Sequence, residues 1–274
     1  MKTIAVLGPK GTYCDIACHN YINNSLNDYK INYYQSIIKT AQGLNENDLA
    51  IIPFENTLDG FVVEGLDQII ANRYWINKQL KLNIDFAFIS NADNINDIKH
   101  CYCQFKAYGQ CLDFITENKF SIITTESNVE SLNLLNKSDK TYAAIIPMHL
   151  INKYKFNIVK RHIADSQNNE TRFVVISKEY NFNSKINNLE ASIVIEAYED
   201  RPGILYDILK QFHESNINLK SIMSRPLKTE MGKYKFYVEC SIDNNNLDSL
   251  NRVKENIEKN NNSKVIILGI YDSI

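Results

Sequence analysis

Short apolar runs alternate with helical stripes along the first two thirds of the chain. Residues 2–7 read as a buried strand that enters the turn Gly8-Pro9-Lys10-Gly11-Thr12-Tyr13 and then a helix to about Asn23. Residues 48–53, centred on Leu49-Ala50-Ile51-Ile52, form a second buried strand that ends in a loop over 54–60. Leu66, Ile69 and Ile70 then recur at helical spacing, and Leu82, Ile84, Phe86 and Phe88 alternate as in a half-buried strand. Residues 108–115 and 129–135 carry helical periods, 142–146 form a further buried strand, and 173–176 close this part. Strands alternating with helices predict parallel sheets, here two α/β lobes joined by crossing segments. Ligands of such sheets bind where loops leave the carboxyl ends of strands, so the cleft between the lobes is the expected site.

Residues 177–190 are polar and without period, which places a boundary there. Beyond it, Ile193, Ile195 and Ala197 alternate as a strand. Pro202-Gly203 opens a helix with Ile204, Leu205, Ile208, Leu209 and Phe212 on one face. Strands over 218–223 and at Phe236, Val238, Cys240 and Ile242 follow, then a helix with Leu247, Leu250, Val253 and Ile257 in its stripe, then a strand over 265–270. The order βαββαβ is the ferredoxin-like pattern. The expected architecture is therefore α/β, with one unit over 1–178 and a second over 191–274. The edge strands and open sheet face of such a second unit predict pairing with another copy, as a homodimer or homotetramer.

Composition removes several classes of function. The 274 residues are 44% hydrophobic and 23% charged, as in an ordinary globular protein. A net charge of −2, with basic residues scattered singly, gives no footprint for nucleic acid. No apolar stretch approaches the ~18 residues of a membrane span, and Thr3-Ile4-Ala5-Val6-Leu7 is too short for a signal core. The expectation is a cytoplasmic protein without a membrane partner. Cys14, Cys18, Cys101, Cys103, Cys111 and Cys240 form no C-x-x-C pair, and His19, His100 and His149 sit at no zinc-like spacing with them. With no P-loop and no dinucleotide fingerprint either, the expected cofactors are none, organic or metal.

Three segments can carry chemistry. Gly8–Tyr13 sits between a strand and a helix, where free N–H groups suit a carboxylate or phosphate, or it is a plain turn. Glu55-Asn56-Thr57 ends a buried strand; these short polar side chains fit either hydrogen bonds into a cleft or an Asx turn or cap. Asn168-Asn169-Glu170-Thr171-Arg172-Phe173 precedes the closing strand, with Thr171 and Phe173 facing one way and Arg172 the other. No Ser-His-Asp or Cys-His nucleophile system is present in the pattern.

These segments occur together in the order and spacing of the prephenate dehydratases. Gly8-Pro9-Lys10-Gly11-Thr12-Tyr13-Cys14 resembles that family's GPxGTYS opening, and Pro53-Phe54-Glu55-Asn56-Thr57 its PIENS loop. Residues 103–111 (CQFKAYGQC) are similar to SHPQALAQC, residues 127–131 (SNVES) to STAEA, and residues 169–173 to N-x-TRF. Asp200-Arg201-Pro202-Gly203-Ile204-Leu205 resembles the DRPGAL turn of an ACT domain, and Ser224-Arg225-Pro226 the end of the ESRP motif, with Met223 in place of its Glu. The resemblance runs from about residue 2 to 270. It implies a two-lobed, periplasmic-binding-protein-like catalytic domain followed by a ferredoxin-like ACT regulatory domain. It implies loss of CO2 and water from prephenate to give phenylpyruvate, in phenylalanine biosynthesis. Among the catalytic residues it implies, Thr171 would donate to the leaving oxygen, with Glu55, Asn56 and Thr57 beside it. Thr12, Tyr13, Ser127, Asn169, Arg172 and Phe173 would bind substrate, although an Arg172 facing away from Thr171 would instead brace the Glu55 loop. L-Phenylalanine would bind as effector at Pro202, Gly203, Ile204, Leu205, Ser224, Arg225 and Pro226. Arogenate dehydration, and a regulator that binds ligand without catalysis, are the rival readings.

Overall fold

The first strand, β1 (Lys2–Leu7), carries Ile4, Ala5 and Val6 with no exposed surface on either face, so it can only lie inside a sheet covered on both sides. It pairs in parallel with β2 (Tyr29–Tyr34) and β3 (Leu49–Asn56), with α1 (Tyr13–Asn23) and α2 (Ile37–Gln42) as the crossovers. This computed structural model describes residues 1–25, 27–181, 189–199, 201–226, 234–242 and 247–274. The middle of the boundary segment at 177–190 and Asp200 of the Asp200–Leu205 turn lie outside the described residues.

After β3 the chain forms a tight hairpin to β4 (Gly60–Phe61), then α3 (Val63–Asn72) and β5 (Trp75–Asn83). It crosses into a second sheet made of β6 (Phe86–Ser90), β7 (His100–Gln104), β8 (Ser121–Thr125), β9 (Tyr142–Pro147) and β10 (Ile158–Lys160), in the order β10-β6-β9-β7-β8. Helices α4 (Phe105–Gln110), α5 (Leu112–Asn118) and α6 (Asn128–Leu135) flank it. Residues 161–169 return the chain to the first sheet as β11 (Glu170–Ser177), which lies antiparallel between β3 and β5. Two crossings, at 84–85 and 161–169, therefore join the two sheets.

The last third follows as β12 (Leu189–Ala197), α7 (Ile204–Glu214), β13 (Leu219–Pro226), β14 (Tyr234–Ile242), α8 (Leu247–Asn260) and β15 (Ser263–Ser273). Its strands run β13-β14-β12-β15, and β15 continues onto β5 through Asp272↔Lys78 and Ser273↔Gln79, so one ten-stranded mixed sheet spans both parts. Helices α7 and α8 cover one face with Ile208, Phe212, Leu250, Val253 and Ile257. The opposite face carries Val194, Tyr237, Leu268 and Tyr271, which pack with Phe54, Leu66, Ile69 and Ile76 of the first sheet and α3. None of the described helices is long and apolar enough to cross a membrane.

Three sequence expectations change. The loop expected at 54–60 begins later, because Phe54, Glu55 and Asn56 remain on β3, and Glu55 and Asn56 pair with both β4 and β11. The alternation at 82–88 is not one strand: Leu82 is the second-last residue of β5 and Phe86 starts β6, and a period of two carries across the crossing unbroken. Strands β2, β7 and β8 were not anticipated. In β7 (HCYCQ) the buried positions are Cys101 and Cys103, small soft side chains without the β-branched signature that marks a strand.

The joint between the two parts generates a test. A Cβ placed on Gly269 of β15 would sit 2.1 Å from the Ile76 carbonyl oxygen, and that contact is backbone, which cannot swing aside. Gly269→Ala is expected to cost about 3 kcal/mol of stability in chemical denaturation, at the upper end of overpacking effects. Gly109→Ala, in α4 with open space around it, is expected to be neutral or to stabilise by up to about 1 kcal/mol. Equal effects at the two positions would contradict the close approach of β15 to β5.

Candidate active site

The end of β3 and the start of β11 lie side by side, Asn56 opposite Thr171 and Glu55 opposite Arg172, with a bulge between Arg172 and Phe173. Asn56 holds this junction with both ends of its amide. Its Oδ1 accepts from the N–H groups of Leu58 (2.9 Å) and Asp59 (3.2 Å), closing the turn that leads to β4. Its Nδ2 donates to Asn169 Oδ1 (2.8 Å) and Thr171 Oγ1 (2.9 Å), with Glu170 O at 3.1 Å. Amide oxygens and nitrogens are assigned through their partners, and here backbone donors settle the first assignment. The rest follows in sequence. Asn169, with no exposed surface, must present Oδ1 to Asn56, so its Nδ2 faces Gln110 Oε1 at 3.0 Å. Gln110 then presents its own NH2 outward.

The same logic fixes Thr171. Its oxygen accepts from Asn56, so its hydroxyl proton is left to donate, and it has no acceptor among the described residues. Thr171 and Gln110 are thus the donor ends of two branches of hydrogen bonds that start at the Asn56 amide. Thr57 is placed differently. Its hydroxyl donates to Asn168 O (2.9 Å) and accepts from Glu170 N (3.0 Å), which spends its proton on fastening the turn to the crossing segment.

Arg172 points to the other face of β11. It is 7% exposed, and its guanidinium meets Glu239 on β14 in a two-pronged contact (2.8 and 2.7 Å) and Glu55 at 2.8 Å, with Glu190 at 3.6 Å. The rings of Phe54 and Phe61 lie 5.0 and 5.8 Å from its centre. Burial alone would lower its pKa, but the hydrogen bonds and charge of Glu239 outweigh burial and raise it above the ordinary arginine value. Its ion pairs with Glu55 and Glu239 tie the end of β3 to β14. A recess of about 300 Å³ on this side is lined by Glu55, Arg172, Glu190, Lys220 and Glu239. Its lining also takes in Asn56, Thr57 and Glu170 at the edge of the junction, but not Thr171. Phe173, with 1% exposure, packs among Ile4, Val6, Leu80 and Val175 in the core rather than lining an open site.

The opening loop meets the second sheet. Gly11, with φ of 93°, lies where a Cβ would touch Val129 and Leu150 of the second lobe. Thr12 caps α1, its hydroxyl accepting from Asp15 N at 3.4 Å. Asp15, buried, accepts from Gly11 N (2.8 Å) and Tyr33 OH (2.5 Å), so the chain places a carboxylate of its own at this helix start. The N–H groups of Tyr13 and Cys14, in the first turn of α1, have no backbone acceptor among the described residues. The Tyr13 hydroxyl is engaged at the first crossing, donating to the Asp85 carbonyl and accepting from Asp85 N, and burial raises its pKa. His149 lies against the Tyr13 ring and bonds Gly11 O at 2.9 Å through Nε2. Burial lowers the His149 pKa, and because the Gly11 carbonyl can only accept, Nε2 carries a proton and donates. Ser127 caps α6, its oxygen accepting from Glu130 N at 3.1 Å. Across the cleft, Lys106 of α4 reaches Asp59 on the β3–β4 turn at 3.1 Å.

In the last third, Gly203 starts α7 with φ of 85°, which favours glycine, and Pro202 and Leu205 are exposed while Ile204 is buried. Ser224 and Pro226 are exposed on β13, but Arg225 reaches Asp67 of α3 at 2.8 Å. Met223 packs toward the core shared with the first sheet. Gln110, His149, Asp15 and Glu239 were missed as site residues. Gln110 stands inside the quoted 103–111 segment. Glu239 is marked only by being a carboxylate on the same strand face as Tyr237.

Residues 4–181 match the family model described as prephenate dehydratase. The chain is 33% identical over 272 residues to the prephenate dehydratase of Methanocaldococcus jannaschii, covering 98% of both chains. Its structure superposes on the crystal structure of the prephenate dehydratase from Staphylococcus aureus with a TM-score of 0.84 and 29% identity, covering 99% of this chain and 100% of that one. A prephenate dehydratase from Arthrobacter aurescens, solved in complex with L-Phe, superposes with a TM-score of 0.83 at 23% identity, covering 98% and 90%.

Proposed function

The chain belongs to the prephenate dehydratase family, and from that premise we propose that the Asn56–Thr171 junction is where it converts prephenate to phenylpyruvate. The activity is that of a carbon–oxygen lyase of phenylalanine biosynthesis, carried on an α/β fold with mixed sheets. In finer terms, residues 1–178 form a catalytic domain of two lobes like a periplasmic binding protein, and residues 191–274 an ACT domain. The two sheets with their paired crossings, and the βαββαβ order of the last third, support that division.

The reaction asks little of the protein. As the ring carboxylate leaves as CO2, the electrons of its C–C bond pass into the ring, which becomes aromatic and expels the ring oxygen. One proton turns that oxygen into water. The observation that carries the proposal is the Thr171 hydroxyl, held by Asn56 so that its proton is left to donate to substrate. Thr171 delivers the proton or hydrogen bond to the leaving oxygen, and solvent restores it. The outward NH2 of Gln110 aids the same oxygen or a neighbouring one. The Tyr13 and Cys14 N–H groups receive a substrate carboxylate, aided by the helix dipole. Phenylalanine binds the last third, at residues 202–205 of one copy and 224–226 of its neighbour, in a homodimer or homotetramer paired through exposed edge strand β13. The chain acts in the cytoplasm and needs no cofactor.

Two outcomes are expected. Purified protein forms phenylpyruvate from prephenate, followed by its ultraviolet absorbance, and Thr171→Val lowers kcat by about 10²–10⁴-fold while Thr171→Ser stays within about tenfold. A valine variant above a tenth of wild-type kcat would contradict the donor role, and turnover of arogenate alone would move the substrate. Calorimetry is expected to show phenylalanine binding, weaker by about one to two decades than in a Met223→Glu variant if the missing charge touches the ligand. Because Met223 packs toward the core, an unchanged dissociation constant would identify that position as packing alone.

A further inference from the structure

One carboxylate from the last third is built into the back of the candidate site. Glu239 is 2% exposed, yet donors converge on it: two from Arg172, at 2.8 and 2.7 Å, and the hydroxyls of Tyr237 (2.8 Å) and Ser221 (2.9 Å), with Tyr271 (3.2 Å) and Ser192 (3.4 Å) farther off and bonded to each other at 2.6 Å. Burial would raise its pKa, but the Arg172 hydrogen bonds and charge outweigh it and hold the carboxyl below its ordinary range. A charge taken so far out of water persists only with such a set of partners. Its chief partner follows Thr171 in the chain.

The guanidinium of Arg172 gathers side chains from several strands, Gln79 of β5 (3.2 Å) and Glu190 of β12 (3.6 Å) among them. Phe54 and Glu55 approach it from β3, Phe61 from β4, its own backbone from β11, and Glu239 from β14. Glu55 and Phe61 are a backbone pair across the β3–β4 hairpin whose turn Asn56 closes. Shifting Arg172 therefore shifts both partners of the Asn56–Thr171 bond.

We propose that Glu239 is a positioning residue for the dehydration, acting through Arg172 to hold the β3 and β11 ends in the register that aims the Thr171 hydroxyl. This rests on the reading of Thr171 given above. Through it the last third completes the site of the first, and a change in how β14 sits on the first sheet reaches the chemistry by one side chain.

Glu239→Gln keeps the shape and removes the charge. In the full-length protein, well below its unfolding temperature, it is expected to lower kcat by about tenfold or more while KM moves less than about threefold. The amide protons of Thr57, Leu58, Asp59 and Glu170 should exchange about tenfold faster or more, because their bonds belong to the turn Arg172 braces. Glu239→Asp, which keeps the charge the fold needs but withdraws it by one methylene, is expected to move both readouts in the same direction and serves if the glutamine variant does not fold. Tyr271→Phe removes one hydroxyl from Glu239 and leaves Arg172 paired; it is expected to lower thermal stability with kcat and exchange unchanged. Wild-type kcat and unchanged exchange in Glu239→Gln, or an equal loss of kcat in Tyr271→Phe, would overturn the proposal. A wild-type protein inert towards prephenate counts against the assigned reaction instead, and the exchange rates still decide the role of Glu239.

Discussion

The arrangement of the site depends on which way one amide group points. Asn56 sits where β3 gives way to a tight turn, and the turn supplies two backbone N–H groups that only an oxygen can satisfy. That requirement fixes the side chain and makes its nitrogen the donor to everything behind it. Asn169, Gln110 and Thr171 inherit their orientations from this choice. A local need of the backbone, to satisfy donors that are leaving a strand, is thereby converted into the direction of a hydroxyl in a cleft. No strongly perturbed acid is required of a reaction that becomes downhill once the ring is aromatic; the protein contributes orientation and hydrogen bonding.

Orientation is only as good as the support beneath it, and here the support is charged. A lone buried guanidinium would be costly, and so would a lone buried carboxylate. Arg172 and Glu239 remove each other's penalty, and they do so across the joint between the first sheet and the strands of the last third. The joint is otherwise apolar, with Tyr237, Leu268 and Tyr271 packed on Phe54, Leu66 and Ile76. Packing supplies most of the stabilisation there, while the ion pair supplies register. A second bridge, from Arg225 on β13 to Asp67 on α3, ties the edge of the same sheet to the first part.

Much of this was legible in the sequence, for identifiable reasons. Buried parallel strands such as β1 and β3 announce themselves as unbroken apolar runs, and the helices of the last third carry wide apolar stripes. Residues 54–57 and 168–173 were visible because each is contiguous and sits beside a strand. What escaped notice depends on contacts far apart in the chain. Continuous alternation from Leu82 to Phe88 hid a crossing between sheets. The join of β15 to β5 pairs residues almost two hundred positions apart, and neither strand end advertises it. Thr57, Ser127 and Phe173 carry residue types that fit a ligand equally well, and only the fold reveals that one clamps a turn, one caps a helix and one fills a core. Glu239 had no local signal beyond its place on a strand face.

The central claim is that Asn56 and Thr171 act as one unit, the amide serving the hydroxyl rather than the substrate directly. A double-mutant cycle on kcat with Asn56→Asp and Thr171→Val tests it most directly, because aspartate keeps the two turn bonds while its second oxygen can no longer donate to Thr171, Asn169 or Glu170 O. The account predicts that Asn56→Asp lowers kcat by about tenfold or more in the wild-type background and changes it little once Thr171 is valine, a coupling of about 1.4 kcal/mol or greater. Losses that simply multiply in the double variant would show that Asn56 acts independently of Thr171, and would contradict the account.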